Sequence, residues 1–162
     1  TEEVPVLLRP GAITMEMLTA VVGEVRVDPA ILGPMSPDIR PKAPGMKYRH
    51  YAPRADLTLV EGELSQVILE INRMAQEKTE AGYRVGIICT DETRGCYPLG
   101  EVRSIGERAR EETVAHNLYG VLRDFDDLGV DCIFSESFSE HHLGQAIMNR
   151  LSKAAGYHIQ RV

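Results

Sequence analysis

The segment "APGMKYRHYAP" at residues 43–53 concentrates chemically versatile side chains. Its centre supplies two cations, an imidazole and two phenols: Lys47, Tyr48, Arg49, His50 and Tyr51. Cations pair with phosphates, and a tyrosine ring can stack on a base while its hydroxyl binds an oxygen. The run has neither a helical nor a strand period, so we expect these side chains to face a ligand outside the segment. The alternative is that the tyrosines fasten the segment to its own domain.

This segment belongs to a proline-rich stretch. Six prolines lie between Asp28 and Pro53, at positions 29, 34, 37, 41, 44 and 53. Each proline lacks a backbone donor and restricts the residue before it, so such a stretch is extended and semi-rigid. We predict a linker over residues 26–54, between an N-terminal piece at residues 1–25 and a C-terminal domain at residues 55–162.

The C-terminal domain alternates strand and helix patterns. Strands are predicted at 56–62, 83–90, 102–105 and 131–137, with an edge strand within 157–162, and helices are predicted from a cap at Ser65, over 107–128, and along the apolar stripe Leu143, Ile147, Leu151 and Ala154. Strands separated by such helices require right-handed crossovers. The pattern therefore predicts an α/β fold, a mostly parallel, Rossmann-like sheet with helices on both faces, preceded by the extended linker.

The N-terminal piece is too small to fold alone. It shows a strand at residues 4–8 and a helix that Thr14 caps and Gly23 ends. One strand and one helix cannot enclose a core, so we expect the end of another domain or an extension packed on the main one. The chain also begins with Thr1 rather than methionine, which suggests a fragment or a processed chain.

Charge and composition narrow the class of protein. A net charge of −6 argues against a broad basic surface for nucleic acid. No membrane-spanning run or signal peptide is evident, so a cytoplasmic protein is expected. The three cysteines lack C-x-x-C spacing, and we predict idle thiols rather than a zinc or redox site.

Ligands of such sheets usually bind beyond the carboxyl ends of the strands, here near residues 90–94 and 135–142. No phosphate-loop or dinucleotide glycine pattern occurs there. Glu136, Glu140, His141 and His142 could suggest a metal set, but neighbouring histidines in a loop point apart, and we predict no metal site. The run "ERAREE" at 107–112 is interpreted as a solvated helix face without chemistry.

Three stretches together carry a family resemblance: "LLRPGAIT" at 7–14, "APGMKYRHYAP", and "GQAIMNRLSKAA" at 144–155. They resemble the two-domain form of threonylcarbamoyl-AMP synthase over nearly the whole chain. In that family a YrdC-like domain condenses ATP, L-threonine and bicarbonate into threonylcarbamoyl-adenylate and pyrophosphate, for threonylcarbamoyladenosine at position 37 of tRNA. The resemblance implies that residues 1–25 end the catalytic domain and that the remainder is linker and C-terminal domain.

The resemblance also implies roles for particular residues. Arg9 matches an arginine near the nucleotide phosphates, and residues 47–51 match a linker motif that closes the catalytic cavity over ATP and the intermediate. ATP is then a substrate, with Mg²⁺ for the complete enzyme, and no catalytic residue lies in this chain, which alone is expected to be inactive. Partners would be the missing catalytic domain and tRNA or later enzymes of the modification. The alternatives are a non-catalytic tRNA- or partner-docking module and a free-standing ligand-binding protein.

Overall fold

A computed structural model of the chain describes residues 4–9, 11, 13–29, 52–138 and 144–162. In chain order the elements are β1 (Val6–Leu7), α1 (Met15–Val22), β2 (Arg26–Val27), β3 (Asp56–Glu61), α2 (Leu64–Glu80), β4 (Val85–Cys89), β5 (Glu101–Ser104), α3 (Glu111–Leu128), β6 (Cys132–Glu136), α4 (Gly144–Ala154) and β7 (Ile159–Arg161). A short 3₁₀ turn at Arg94–Cys96 lies between β4 and β5. None of the described helices is both long and apolar enough to cross a membrane.

The five strands from β3 onward form one sheet in the order β5-β4-β6-β3-β7. Every neighbouring pair in this sheet is parallel. Cys132 at the start of β6 lies opposite Asp56 of β3 on one side and Val85 of β4 on the other, which fixes the register of the three central strands. The predicted parallel α/β sheet is confirmed, and β7 is the predicted edge strand.

The sheet is covered on both faces. Successive side chains of a strand point to opposite faces, so each central strand contributes to two separate clusters. One cluster joins β3, β4 and β6 to α2, through Val67, Ile71 and Ala75 of that helix. The other joins the same strands to α3 and α4, including Phe125 and Leu151. Helices therefore cover both faces, as the sequence predicted.

The long helix α3 has the predicted apolar stripe, but it begins later in the chain than predicted. All five predicted core positions are buried: Val114, Leu118, Val121, Leu122 and Phe125. The helix begins at Glu111, so the prediction that it starts near Glu107 is wrong. The residues just before it form a turn because Arg108 is directed inward to a partner on β6, as described below.

The start of α2 also differs from the prediction. Its N-cap is Glu63, with an extended backbone, and the Glu63 carboxylate accepts a hydrogen bond of 3.1 Å from the Ser65 amide. The prediction that Ser65 is the cap is wrong, because the carboxylate two residues earlier already satisfies the first free amide of the helix.

In the N-terminal piece, β1 pairs in parallel with β2, which lies at the first two residues of the predicted linker, and α1 connects the two strands. The Thr14 hydroxyl accepts a 3.3 Å hydrogen bond from the Met17 amide, which confirms the predicted cap. The strand at Arg26–Val27 was not predicted. No residue of α1 is buried, and the apolar side chains exposed on or beside it are Ile13, Met17, Val21 and Val22.

Two glycines of the α3 region should respond to alanine with opposite signs. Gly129 ends the helix in the left-handed region, with φ of 62°, and its closest neighbour to an added Cβ is 3.8 Å away. Because space is available, Gly129→Ala should cost only the left-handed backbone strain, about 1–2 kcal/mol of unfolding free energy. Gly120 lies inside the helix with open space around it. Gly120→Ala should stabilise by about 0.5–1 kcal/mol, and denaturant unfolding of both variants checks the contrast. Equal effects would contradict it.

Candidate functional site

The carboxyl edge of the sheet, where ligands of parallel sheets usually bind, holds a buried carboxylate. Glu136 is the last residue of β6, the middle strand of the sheet, and it has no exposed surface. An ionised carboxylate at such a position is costly unless its oxygens are paired. Its partners therefore define what this edge can do.

Both oxygens of Glu136 have partners. The Tyr97 hydroxyl, which is buried, donates to Glu136 Oε1 at 2.7 Å. The Arg108 guanidinium donates to Glu136 Oε2 and forms an ion pair with it. These three side chains, which we call the Glu136 cluster, come from β6, from the loop before β5 and from the turn before α3.

Arg108 connects three segments of chain. Its Nη1 donates to the Ser137 carbonyl at 2.9 Å, and its guanidinium carbon lies 4.8 Å from the centre of the Phe138 ring. Its backbone amide donates to both carboxylate oxygens of Glu92, at 2.8 and 3.1 Å. Its Nε is buried and has no hydrogen-bond partner among the residues that the structure describes. The interpretation of residues 107–112 as a solvated helix face is therefore wrong at Arg108, which precedes the helix and pairs with a buried carboxylate.

A second set of polar contacts holds the loop after β4. The Ser104 hydroxyl donates to Asp91 Oδ1 at 2.6 Å and accepts from the Gly106 amide at 3.1 Å. Thr90 and Thr93, both buried, bond to each other through the Thr90 amide and the Thr93 hydroxyl at 3.1 Å. The loops around the Glu136 cluster are thus fixed by side-chain contacts.

Burial at this edge shifts the pKa of neighbouring groups. The pKa of the Cys89 thiol is raised to about 12. Burial is the larger cause, and the nearby Glu136 carboxylate is the second. Burial, followed by the hydrogen bond to Glu136, raises the pKa of Tyr97 strongly. Burial alone would raise the pKa of Glu92, but hydrogen bonds from its own backbone, Thr90 and Arg108 lower it. The Cys89 thiol and the Tyr97 phenol therefore stay neutral at physiological pH.

These shifts predict a loss of stability in alkali. An acid whose pKa is higher in the folded than in the unfolded state favours unfolding as pH rises, because the unfolded chain loses the proton first. For Cys89 this loss should begin near pH 9 and continue toward pH 12. Unfolding free energy measured between pH 7 and pH 10.5 should fall, and Cys89→Ala should show a shallower decline. Identical slopes in the two proteins would contradict the buried thiol's contribution.

The Glu136 cluster can hold loops in place, and both carboxylate oxygens of Glu136 already have hydrogen-bond partners. Glu136 has no accessible surface from which to take a substrate proton. In the parts of the chain that the structure describes, no group of three or more histidine, cysteine or acidic side chains could hold a metal ion. Glu140, His141 and His142 lie outside the described residues. Of the predicted idle thiols, Cys89 and Cys132 are buried and Cys96 is exposed.

The described residues include one of the site residues that the sequence predicted. Arg9 follows β1 on an exposed turn, close enough to α4 that its charge, after burial, contributes to lowering the pKa of Lys153. Lys47, Tyr48, Arg49, His50 and Tyr51 lie outside the described residues.

Sequence reasoning missed Tyr97, Arg108 and Glu92. The available indication was Glu136 itself, a charged residue that ends an otherwise apolar strand. A buried strand with a terminal carboxylate requires a cation or a hydroxyl donor from elsewhere in the chain. The sequence alone does not identify which of the 18 lysines and arginines supplies the cation.

The fold and the carboxyl edge of the sheet define a class of protein. It is a parallel α/β domain with helices on both faces of the sheet, preceded by a small β-α-β unit. Residues 13–156 match the family described as threonylcarbamoyl-AMP synthase, C-terminal domain. The match covers most of the chain, so the chain belongs to this family.

The curated proteins that are similar to this chain are much longer than it is. It is 46% identical over 160 residues to threonylcarbamoyl-AMP synthase of Bacillus subtilis (strain 168), covering 99% of this chain and 44% of that protein. It is 45% identical over 162 residues to the enzyme of the same name from Pyrococcus abyssi (strain GE5 / Orsay), covering 100% and 45%. The chain thus spans less than half the length of these curated relatives.

Solved structures agree with the fold. A crystal structure of P. abyssi Sua5 complexed with L-threonine superposes with a TM-score of 0.87 at 43% identity, over 99% of this chain and 45% of that one. The C-terminal Sua5 domain of a Pyrococcus horikoshii protein, solved as a separate chain, gives a TM-score of 0.56 at 37% identity, over 68% of this chain and 100% of that one.

Proposed function

We propose that this chain is the active-site linker and C-terminal domain of a threonylcarbamoyl-AMP synthase. The complete enzyme would condense ATP, L-threonine and bicarbonate into threonylcarbamoyl-adenylate, with release of pyrophosphate and water, for tRNA threonylcarbamoyladenosine. The observation that supports this best is identity of 45–46% over essentially the whole chain to two enzymes of that name. The complete enzyme would act in the cytoplasm.

The proposed division of the chain follows the sequence analysis. Residues 1–25 would complete a YrdC-like catalytic domain, residues 26–54 would form the linker, and residues 55–162 would form the C-terminal domain. The apolar residues exposed on α1, such as Val21 at 84%, support the first part of this division. An apolar helix face of this kind is normally covered, and the catalytic domain would cover it.

Within that enzyme, the proposed nucleotide and substrate contacts are Arg9 and residues 47–51. Arg9 would lie near the ATP phosphates, since its guanidinium is exposed in this chain and is suited to bidentate contacts with phosphate. Residues 47–51 would cover the bound adenylate and exclude water, because an acyl-adenylate hydrolyses readily. No catalytic side chain is assigned to the C-terminal domain.

Mg²⁺ is proposed for the complete enzyme, because it commonly accompanies ATP through the phosphate oxygens. The described residues of this chain do not fit a Mg²⁺ site of their own, since no suitable group of three acidic, histidine or cysteine side chains occurs among them. Its ligands would therefore come from ATP and from the remainder of the enzyme.

Pyrophosphate release from ATP, L-threonine and bicarbonate tests the proposal. The chain alone should give none above background, whereas the longer protein that includes the catalytic domain should release pyrophosphate only when all three substrates are present. Tight tRNA binding by the isolated chain at physiological salt, without any contribution to pyrophosphate release in the longer protein, would instead favour a tRNA-docking module. The net charge of −6 disfavours that outcome.

A further inference from the structure

We propose that Asp126 of α3 is a positioning residue for the linker. Its carboxylate holds the Arg54 amide, and this contact sets the direction in which residues 47–51, which we call the linker motif, leave the C-terminal domain. The proposal rests on the proposed function, because it needs a linker that covers the adenylate in the complete enzyme. It goes further by giving one side chain of the C-terminal domain a part in that covering.

The contact joins the end of the linker to the last turn of α3. The Arg54 amide donates to Asp126 Oδ1 at 2.7 Å, across 72 positions of sequence. The acceptor is a carboxylate oxygen, and hydrogen bonds to ionised acceptors are shorter and stronger than those between neutral groups. Pro53 has no amide hydrogen, so the Arg54 amide is the first backbone donor after Ala52. Asp126 therefore holds the chain at the first point after the linker motif where a proline does not prevent it.

Asp126 lies where an isolated anion is unfavourable. The negative end of the helix dipole falls at the last turn of α3, which contains no basic residue. The Asp126 side chain is only 10% exposed, and its Oδ2 lies 3.5 Å from Arg123 Nη1, one turn earlier. Arg123 Nε in turn donates to the Tyr119 hydroxyl at 3.1 Å. The carboxylate is thus oriented by Arg123 and directs its other oxygen at the linker.

The sheet does not need this contact in order to form β3. Pairing of β3 with β6 begins at Asp56, opposite Cys132, and Ala55 already packs against the core formed with α3 and α4. The Arg54 amide precedes the first paired residue, so its hydrogen bond fixes the chain just before the strand. A contact at that point governs the direction of the preceding residues more than the stability of the sheet.

The chain between Asp126's partner and the linker motif is short and stiff. Tyr51, the last residue of the motif, lies three positions before Arg54, and an extended chain spans three residues in at most about 11 Å. Of the two residues between them, Pro53 has a fixed φ, and Ala52 is restricted because it precedes a proline. A direction set at Arg54 is therefore carried to the motif with little loss.

Hydrogen exchange at the Arg54 amide tests the contact in this chain alone. Asp126→Ala removes the acceptor, so exchange at Arg54 should become about tenfold faster, whereas Asp126→Asn keeps an oxygen acceptor and should stay within about twofold of the unsubstituted chain. Asp124 is exposed on the same helix, and Asp124→Ala is the matched control that should leave the exchange rate unchanged. Equal exchange in Asp126→Ala and in the control would overturn the proposal.

Hydrolysis of the intermediate tests the positioning role in the longer protein. In Asp126→Ala, bound threonylcarbamoyl-adenylate should hydrolyse about fivefold faster, since loss of one hydrogen bond shifts an equilibrium by about that factor. Asp126→Asn should restore most of the protection, and Asp124→Ala should lose none. The quantity measured is the ratio of intact adenylate to released pyrophosphate. This ratio counts turnovers of folded enzyme alone, so a variant that merely folds less well does not change it.

Faster exchange at Arg54 without any loss of intact adenylate in Asp126→Ala would overturn the positioning role, because the contact would then only secure the start of the domain. An equal loss in Asp126→Asn and Asp126→Ala would overturn it as well, because the hydrogen-bond acceptor would not be what matters. Pyrophosphate release by the unsubstituted longer protein, measured in the same samples, shows separately whether the proposed function holds.

Discussion

Arg108→Ala should lower the free energy of unfolding by about 3–5 kcal/mol, because it removes the cation from a fully buried carboxylate. Glu136 has no exposed surface, and among the described residues its carboxylate would retain only the Tyr97 hydroxyl as a partner. The Ser137 carbonyl would lose its donor as well. Denaturant unfolding of the chain at pH 7 measures the loss.

A surface ion pair supplies the control for Arg108. Arg73 pairs with Glu70 and Glu77 along the exposed side of α2. Such exposed pairs contribute little, so Arg73→Ala should leave the unfolding midpoint nearly unchanged. In the double variant Arg108→Ala with Glu136→Gln, part of the lost stability should return, since the uncompensated charge is gone. If Arg108→Ala costs no more than Arg73→Ala, the Glu136 cluster does not stabilise the fold as described.

Phe125→Ala should cost a similar amount, about 3–5 kcal/mol, through a cavity beneath the central strands. Phe125 is fully buried, and its ring lies against the backbone of β4 at Gly86. A Cβ added at Gly86 would approach ring atoms of Phe125 at 2.8 and 2.9 Å. Gly86→Ala should therefore cost about 1–3 kcal/mol by overpacking.

These two positions should be coupled. Phe125→Leu shortens the side chain that meets the new methyl group, so the double variant Gly86→Ala with Phe125→Leu should be more stable than the sum of the single changes indicates. Leu69→Ala, at an exposed position on α2, is the control and should change stability little. If the losses of unfolding free energy in Gly86→Ala and Phe125→Leu simply add in the double variant, the Phe125 ring and Gly86 are not in the described contact.

The elements that the sequence predicted well are those whose signal is local. The stripe on α3 follows from helical periodicity, whereas β4, β6 and the final edge strand follow from short runs of strand-favouring residues. Both signals depend only on neighbouring residues. Thr14 was predicted as an N-cap from its residue type and its position directly before the helix, which is also a local signal. β2 was missed because two residues, Arg26 and Val27, show no period.

The strand order and the Glu136 cluster were not predictable from such patterns. β6 lies between β3 and β4 although two helices and two strands separate it from β3 in the chain. Arg108 and Glu136 are 28 positions apart, and nothing local distinguishes Arg108 from the other charges of "ERAREE". Contacts of this kind become visible only when the sheet brings distant segments to one edge.

The predicted nucleotide-binding residues depend on a different kind of signal. Arg9 and residues 47–51 were identified by resemblance to a family motif rather than by periodicity. The family itself is shown by the match over residues 13–156. The roles of these residues remain proposals for the complete enzyme.

The proposed covering of the adenylate can be measured directly in the longer protein. The ratio of intact threonylcarbamoyl-adenylate to released pyrophosphate should be near one in the unsubstituted enzyme, and it should fall severalfold when Tyr48, His50 and Tyr51 are replaced by alanine, because water then reaches the bound intermediate. Leu69→Ala should leave the ratio unchanged. If the triple variant keeps both the same ratio and the same rate of pyrophosphate release, the linker does not cover the active site and the central proposal is contradicted.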